Sequence, residues 1–256
     1  MNSLPATRTS AIALCLLGCA TANAHISYTG RNFGTFAGGE APVTILDKVI
    51  AGNWAWADGT DDDYGPSEYV RAYRFTLMYD ARVTFDISAT TTGGTVLGDL
   101  LPGFSFYRGL AHLPPALLDH DENLVSEEWR NSQPGVPKEG NFRALGDWKI
   151  GNDAGLTAAD LSSFTFMGYG VDGTSANFGP TPGIVGDGLA DGHIIKTFNV
   201  PAGDYTLFIG GADYAAQVGG DLTGRGVNVT LSVIPEPAVV VLLLPAVASL
   251  LLGRRR

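Results

Sequence analysis

Four carboxylates crowd into the run Asp58-Gly59-Thr60-Asp61-Asp62-Asp63. At that density they repel one another unless water solvates them or a shared cation neutralises them, and hard oxygen donors favour calcium. The run is not an EF-hand loop, because its glycine stands second rather than sixth and no Glu stands twelfth. A solvated loop is the preferred reading, and calcium at Asp58, Asp61, Asp62 and Asp63 is the metal alternative. No other cofactor is expected. A second acidic stretch, Asp187-Gly188-Leu189-Ala190-Asp191-Gly192, reads as two turns, since Asp-Gly pairs supply positive φ cheaply.

The densest mix of acid–base groups is Asp119-His120-Asp121-Glu122, with His112 nearby. Carboxylates around an imidazole raise its pKa and make it a usable acid. No nucleophile stands at a recognised spacing, however, and no second histidine lies four residues away as a zinc-binding helix needs. The cluster therefore reads as an exposed polar loop, and no enzymatic activity is expected. Trp54 and Trp56 stand at alternate positions, which in a strand puts both rings on one face. Such a face can stack on sugars, although core or sheet packing is the simpler use of both rings, as of Trp129 and Trp148. Asn228-Val229-Thr230 fits the glycosylation pattern but lies within a strand-like run.

The elements that position these groups read as strands. Tyr73, Phe75 and Leu77 alternate with polar residues, as do Val83, Phe85 and Ile87. Tyr79-Asp80-Ala81 between them suits a hairpin. Further alternating runs are 103–107, 163–169, 194–200, 204–209 and 226–233, with Pro201-Ala202-Gly203 as a turn. Helical signals are thin: 116–118, 123–130 and a single turn at 157–161. Without strand–helix alternation a parallel α/β sheet is excluded. The expected fold is all-β, an antiparallel β-sandwich with a jelly-roll-like plan, flanked by an N-terminal signal helix and a C-terminal transmembrane helix. The strand phrasing resembles secreted bacterial sandwich modules of the pre-peptidase C-terminal or carbohydrate-binding kind. The stretch from Gln133 to Asp153 reads as a long excursion rather than a domain boundary.

The two ends state a destination. Arg8, the apolar run 11–18 and the small residues Ala22 and Ala24 form an export signal cut before His25. Leu16-Leu17-Gly18-Cys19 resembles a bacterial lipobox, which leaves lipidation of Cys19 as a second option. Cys15 and Cys19 are the only cysteines, so a chain cut after Ala24 has no disulfide. That cut also exposes an amino-terminal histidine. Copper-dependent polysaccharide monooxygenases hold their metal in such an arrangement, and His112, His120 or His193 could serve as partner to His25.

At the other end Pro235-Glu236-Pro237 precedes sixteen apolar residues, 238–253, and the cluster Arg254, Arg255 and Arg256. As a helix the apolar run rises roughly 24 Å, and the arginines hold its end on the cytoplasmic side. Together these resemble the PEP-CTERM sorting signal. That resemblance implies recognition and cleavage by an exosortase, insertion in the inner membrane beforehand, and a Gram-negative host that makes extracellular polysaccharide. Signal peptidase is the other processing partner. The chain divides into a signal peptide (1–24), an exported domain (25–234) and the sorting segment (235–256).

Composition agrees with export and narrows the partners. The 256 residues carry 26 acidic and 16 basic side chains, a net charge of −10, with 45% hydrophobic residues. Without Arg8, Glu236 and Arg254 to Arg256, 12 basic and 25 acidic side chains remain, a net charge of −13. A domain this acidic repels phosphate backbones, which excludes nucleic acid as a partner. The expectation is a non-catalytic exported protein of the cell surface or extracellular matrix. Alternatives are a carbohydrate-binding module and a copper-dependent or hydrolytic polysaccharide enzyme.

Overall fold

A computed structural model describes residues 26–61, 64–91, 96–112, 124–135, 140–151, 157–174 and 183–236. Its strands are β1 (Asn32–Phe36), β2 (Val43–Ala51), β3 (Arg71–Leu77), β4 (Ala81–Thr90), β5 (Pro102–Arg108), β6 (Trp148–Ile150), β7 (Ser162–Val171), β8 (His193–Val200), β9 (Gly203–Gly211) and β10 (Gly224–Pro235). Three short helices interrupt them: α1 (Ala55–Asp58), α2 (Leu124–Asn131) and α3 (Tyr214–Val218). A six-stranded sheet runs β1-β3-β9-β5-β7-β6, and a four-stranded sheet runs β2-β10-β4-β8. All neighbours are antiparallel except β1 and β3. The protein is thus mostly β, built as two sheets.

Alternation dictates which face each strand buries. In β4, Val83, Phe85 and Ile87 point inward while Arg82, Thr84 and Asp86 point out. From the opposite sheet Tyr73, Phe75, Phe104, Phe106, Tyr205 and Leu207 meet them, and the Phe75 and Phe85 rings lie 6.0 Å apart. Strands β5 and β9 are buried on both faces. The outer face of the larger sheet contributes Tyr107, Phe164 and Phe208 to a second core with Trp56, Phe142 and Trp148. From the stretch after Gln133, Phe142, Ala144, Trp148 and Ile150 supply much of that cover as a lid over the sheet. Ser105 Oγ accepts a hydrogen bond from Trp56 Nε1 at 2.9 Å and donates to the Ala144 carbonyl at 2.6 Å, tying α1, β5 and the lid together.

The structure corrects the expected hairpin. Although adjacent in sequence, β3 and β4 belong to different sheets, and residues 78–80 cross between them. The Pro201–Gly203 turn makes the same crossing from β8 to β9. Both strands of each pair face the one inter-sheet core, and alternation alone reads identically for a hairpin and for this corner. No helix among the described residues is long and apolar enough to cross a membrane. The signal segment and the apolar run 238–253 lie outside the described residues.

Candidate functional site

Strand β7 ends at Val171 on the inner edge of the larger sheet, and the next residue, Asp172, is fully buried. Its backbone amide bonds the Pro102 carbonyl at 2.9 Å, which sets the carboxylate under the segment leading into β8. There Asp172 Oδ1 accepts from the Asp191 amide at 3.2 Å, and Oδ2 accepts from the Gly192 amide at 2.7 Å. Positive φ at Gly188 and Gly192 allows the chain to turn twice in this short span, as the Asp-Gly pairs predict. Asp187 accepts from the Gly173 and Leu189 amides, and Asp191 accepts from the His193 amide.

Asp172, Asp187 and Asp191 thereby bring ligand-capable oxygens within 4.8 Å of one another. Burial pushes the Asp172 carboxyl above its ordinary value. The two amides oppose that shift, and the Asp187 and Asp191 charges add to it. Three carboxylates are hard-cation donors, but calcium takes about 6–8 oxygens. These three are already engaged in fixing backbone. What the geometry does is strap 187–192 across the end of β7. Beside the strap, a cleft of about 400 Å³ opens between β7 and β8, lined by Phe166, Tyr169, Asp187, Lys196 and Phe198. Sequence reasoning finds the two turns and misses Asp172. It stands fifteen positions before Asp187, and only the fold joins them.

The other expected site residues are dispersed. Asp58 is buried at the end of α1, where Gln217 Nε2 donates to it at 2.6 Å. It is therefore no part of a solvated acidic loop. Asp61 follows it, and Asp62 and Asp63 lie outside the described residues. Trp54 and Trp56 do not share a strand face, because α1 begins between them. Trp54 is 9% exposed and donates to the Asp221 carbonyl, while Trp56 is wholly enclosed in the second core. A sugar-stacking face built from these two rings is thus corrected to core packing.

The histidine candidates separate in the same way. His112 sits at the end of the β5 loop with its amide on Ser162 Oγ. His193 Nε2 lies 2.9 Å from Asp86 on the smaller sheet. His25, Asp119, His120, Asp121 and Glu122 fall outside the described residues. Asn228, set aside as a glycosylation pattern, fixes backbone instead. Its Oδ1 accepts from the Asp47 amide at 2.9 Å, where β2 slips register against β10. Of the sorting motif, Pro235 closes β10 and the Glu236 amide bonds the Asp80 carbonyl at 2.9 Å. Pro237, Arg254, Arg255, Arg256, Ala22 and Ala24 lie outside the described residues.

No family model matches the chain, and no curated protein matches it. Solved structures similar to the chain include two secreted or surface proteins. One is CorA, a surface-associated copper-binding protein important in copper acquisition by Methylomicrobium album BG8. It has 16% identity, a TM-score of 0.48, and coverage of 79% of this chain and 98% of that one. The other is MopE, a secreted protein of Methylococcus capsulatus in which an oxidized tryptophan facilitates copper binding. It has 16% identity, a TM-score of 0.43, and coverage of 79% and 86%. At these values neither transfers a residue's role to this chain. The sequence leads to no expected cofactor beyond a calcium alternative, whereas both of these similar structures are of copper-binding proteins, and the expectation is corrected to that extent.

Proposed function

We propose that this chain is an exported protein of a Gram-negative bacterium, trimmed at both ends and delivered to the cell surface or the surrounding polysaccharide matrix. There its two-sheet domain acts by binding rather than by catalysis. The observation that carries this reading is the ordered tail: Pro235-Glu236-Pro237, the apolar run 238–253, then Arg254 to Arg256. A leader of the matching topology stands at the other end. The end of the fold is compatible with it, because the last strand closes on Pro235, the first residue of the motif, and Pro235 and Glu236 are both exposed. Signal peptidase and an exosortase are the processing partners, and the inner membrane holds the precursor between the two cuts. The strong acidity of the exported part keeps such a domain soluble and apart from nucleic acid.

The test is a substitution in the tail. Replacing Glu236 with Ala together with Arg254 to Arg256 with Glu, in a host that has an exosortase, should leave the tail uncut and the protein in the inner-membrane fraction. Identical processing and release of the variant would refute the proposal.

A further inference from the structure

A second cavity, of about 400 Å³, opens on the far side of β3, and its walls include Arg31, Ser67, Glu68, Tyr69, Arg71 and Phe208. Two arginines reach it from opposite directions. Arg31 leaves the turn that follows Tyr28 and spends Nε on the Ala72 carbonyl at 3.0 Å and Nη2 on the Ser27 carbonyl at 2.6 Å. Arg71 opens β3 and spends Nε on the Val49 carbonyl at 2.8 Å and Nη1 on the Glu68 and Val70 carbonyls. Each guanidinium is thus locked by main-chain acceptors, yet Arg31 Nη1 and Arg71 Nη2 have no acceptor among the described residues.

Neither guanidinium has a carboxylate at ion-pair distance among the described residues. Ion pairs among the described residues join His193 to Asp86 and Arg225 to Asp99 and Asp221, and none involves Arg31 or Arg71. The two lie near enough that burial and the Arg31 charge together hold Arg71 below its ordinary pKa. Tyr73, two residues along the same face of β3 as Arg71, buries a hydroxyl that has no hydrogen-bond partner among the described residues and feels both guanidinium charges. Both arginines are half-buried, and holding like charges together out of bulk water is costly unless an anion completes them. A chain with ten more acidic than basic side chains has carboxylates to spare, yet none pairs with either arginine among the described residues. Immobilised forks with a free N–H edge are the donors that match an oxyanion.

We propose that this pocket binds a small organic carboxylate, with the anionic group held by the free ends of Arg31 and Arg71. The Tyr69 and Phe208 walls would cover the less polar body of the ligand. The cavity volume falls in the range of small-molecule sites, about 300–1,000 Å³. Glu68, also in the wall, opposes an anion and limits affinity. The assignment rests on the pocket alone and does not depend on where the protein is delivered.

Calorimetric titration of the full chain in mild detergent tests it, with glucuronate as the acidic probe, glucose as its neutral match and inorganic phosphate as the competing oxyanion. Glucuronate should bind, weaken with added salt, and lose affinity by about tenfold or more in Arg31→Gln and Arg71→Gln, as loss of a charge-assisted hydrogen bond implies. Both variants also lose carbonyl contacts and could unfold. Glu68→Gln disturbs no bond in the fold and should tighten glucuronate by roughly threefold at low salt, the scale of one nearby charge in a solvated cleft. Absence of glucuronate binding, equal binding of glucose or phosphate, or unchanged affinity in Glu68→Gln and in folded arginine variants would overturn the proposal.

Discussion

Replacing Asp172 with Ala removes the carboxylate that the 187–192 strap is built on. The wild-type side chain is fully buried and accepts two backbone amides, from Asp191 and Gly192. Hydrogen bonds to a charged group are worth about 1.5–3 kcal/mol each. Burial of the carboxylate, with Asp187 and Asp191 close by, works against its charged form. These opposing effects leave a net loss of about one such bond, roughly 2 kcal/mol at neutral pH. For a domain of this size the melting temperature should then fall by roughly 4–8 °C.

The pH dependence has a definite sign. Because the folded pKa is raised, the folded state holds the Asp172 proton more tightly than the unfolded chain does. Stability from this group therefore falls as pH rises, from the unfolded carboxylate value of about 3.9 through the folded value. The lead of wild type over Asp172→Ala should be largest on the acid side of that window and shrink across it. Circular dichroism melts of both proteins between acidic and neutral pH measure the lead. Amide exchange at Asp191 and Gly192 should quicken in the variant. Equal melting temperatures at neutral pH, or a lead that grows with pH, would show that Asp172 does not anchor the strap.

Trp56→Ala should cost about 3–5 kcal/mol, because the ring is wholly enclosed and its Nε1–H serves Ser105. A stable variant with altered polysaccharide binding would instead return the ring to a sugar face. Gly103→Ala should destabilise measurably in a denaturant titration, since an added Cβ meets the Trp56 ring at 2.5 Å, and an unchanged midpoint would show that the indole can move aside. Arg225→Ala strips the partner from Asp99 and Asp221 at the start of β10. With Arg225 itself buried, a loss of about 1–3 kcal/mol is expected by thermal melt, and a loss below measurement would reduce the pair to surface decoration.

Strand phase was legible in the sequence, and strand partnership was not. The alternating sets in β3, β4, β9 and β10 all land in the inter-sheet core. Alternation reports burial of a face, which a corner between sheets satisfies as well as a hairpin, so β3 and β4 were open to mispairing. Strand β2 hides its period because it lies at a sheet edge, half exposed, with Asp47 at positive φ where the register slips. Strands β5 and β9 bury both faces, and their inner and outer residues serve different cores.

At the sites, the acidic stretch 187–192 read correctly as turns while its anchor stayed hidden, since Asp172 has no local companion. Trp54 and Trp56 read as strand neighbours because a four-residue helix is too short to impose a period. Arg31 and Arg71 gave no local signal at all. They stand forty residues apart, and only the pairing of β1 with β3 brings their guanidiniums to one cavity.

Export followed by processing at both ends is read out by the intact mass of the protein recovered from its native host. The predicted species begins at His25 and lacks the apolar run and the terminal arginines. A mass that retains residues 238–256, in a cell that contains an exosortase, would contradict it.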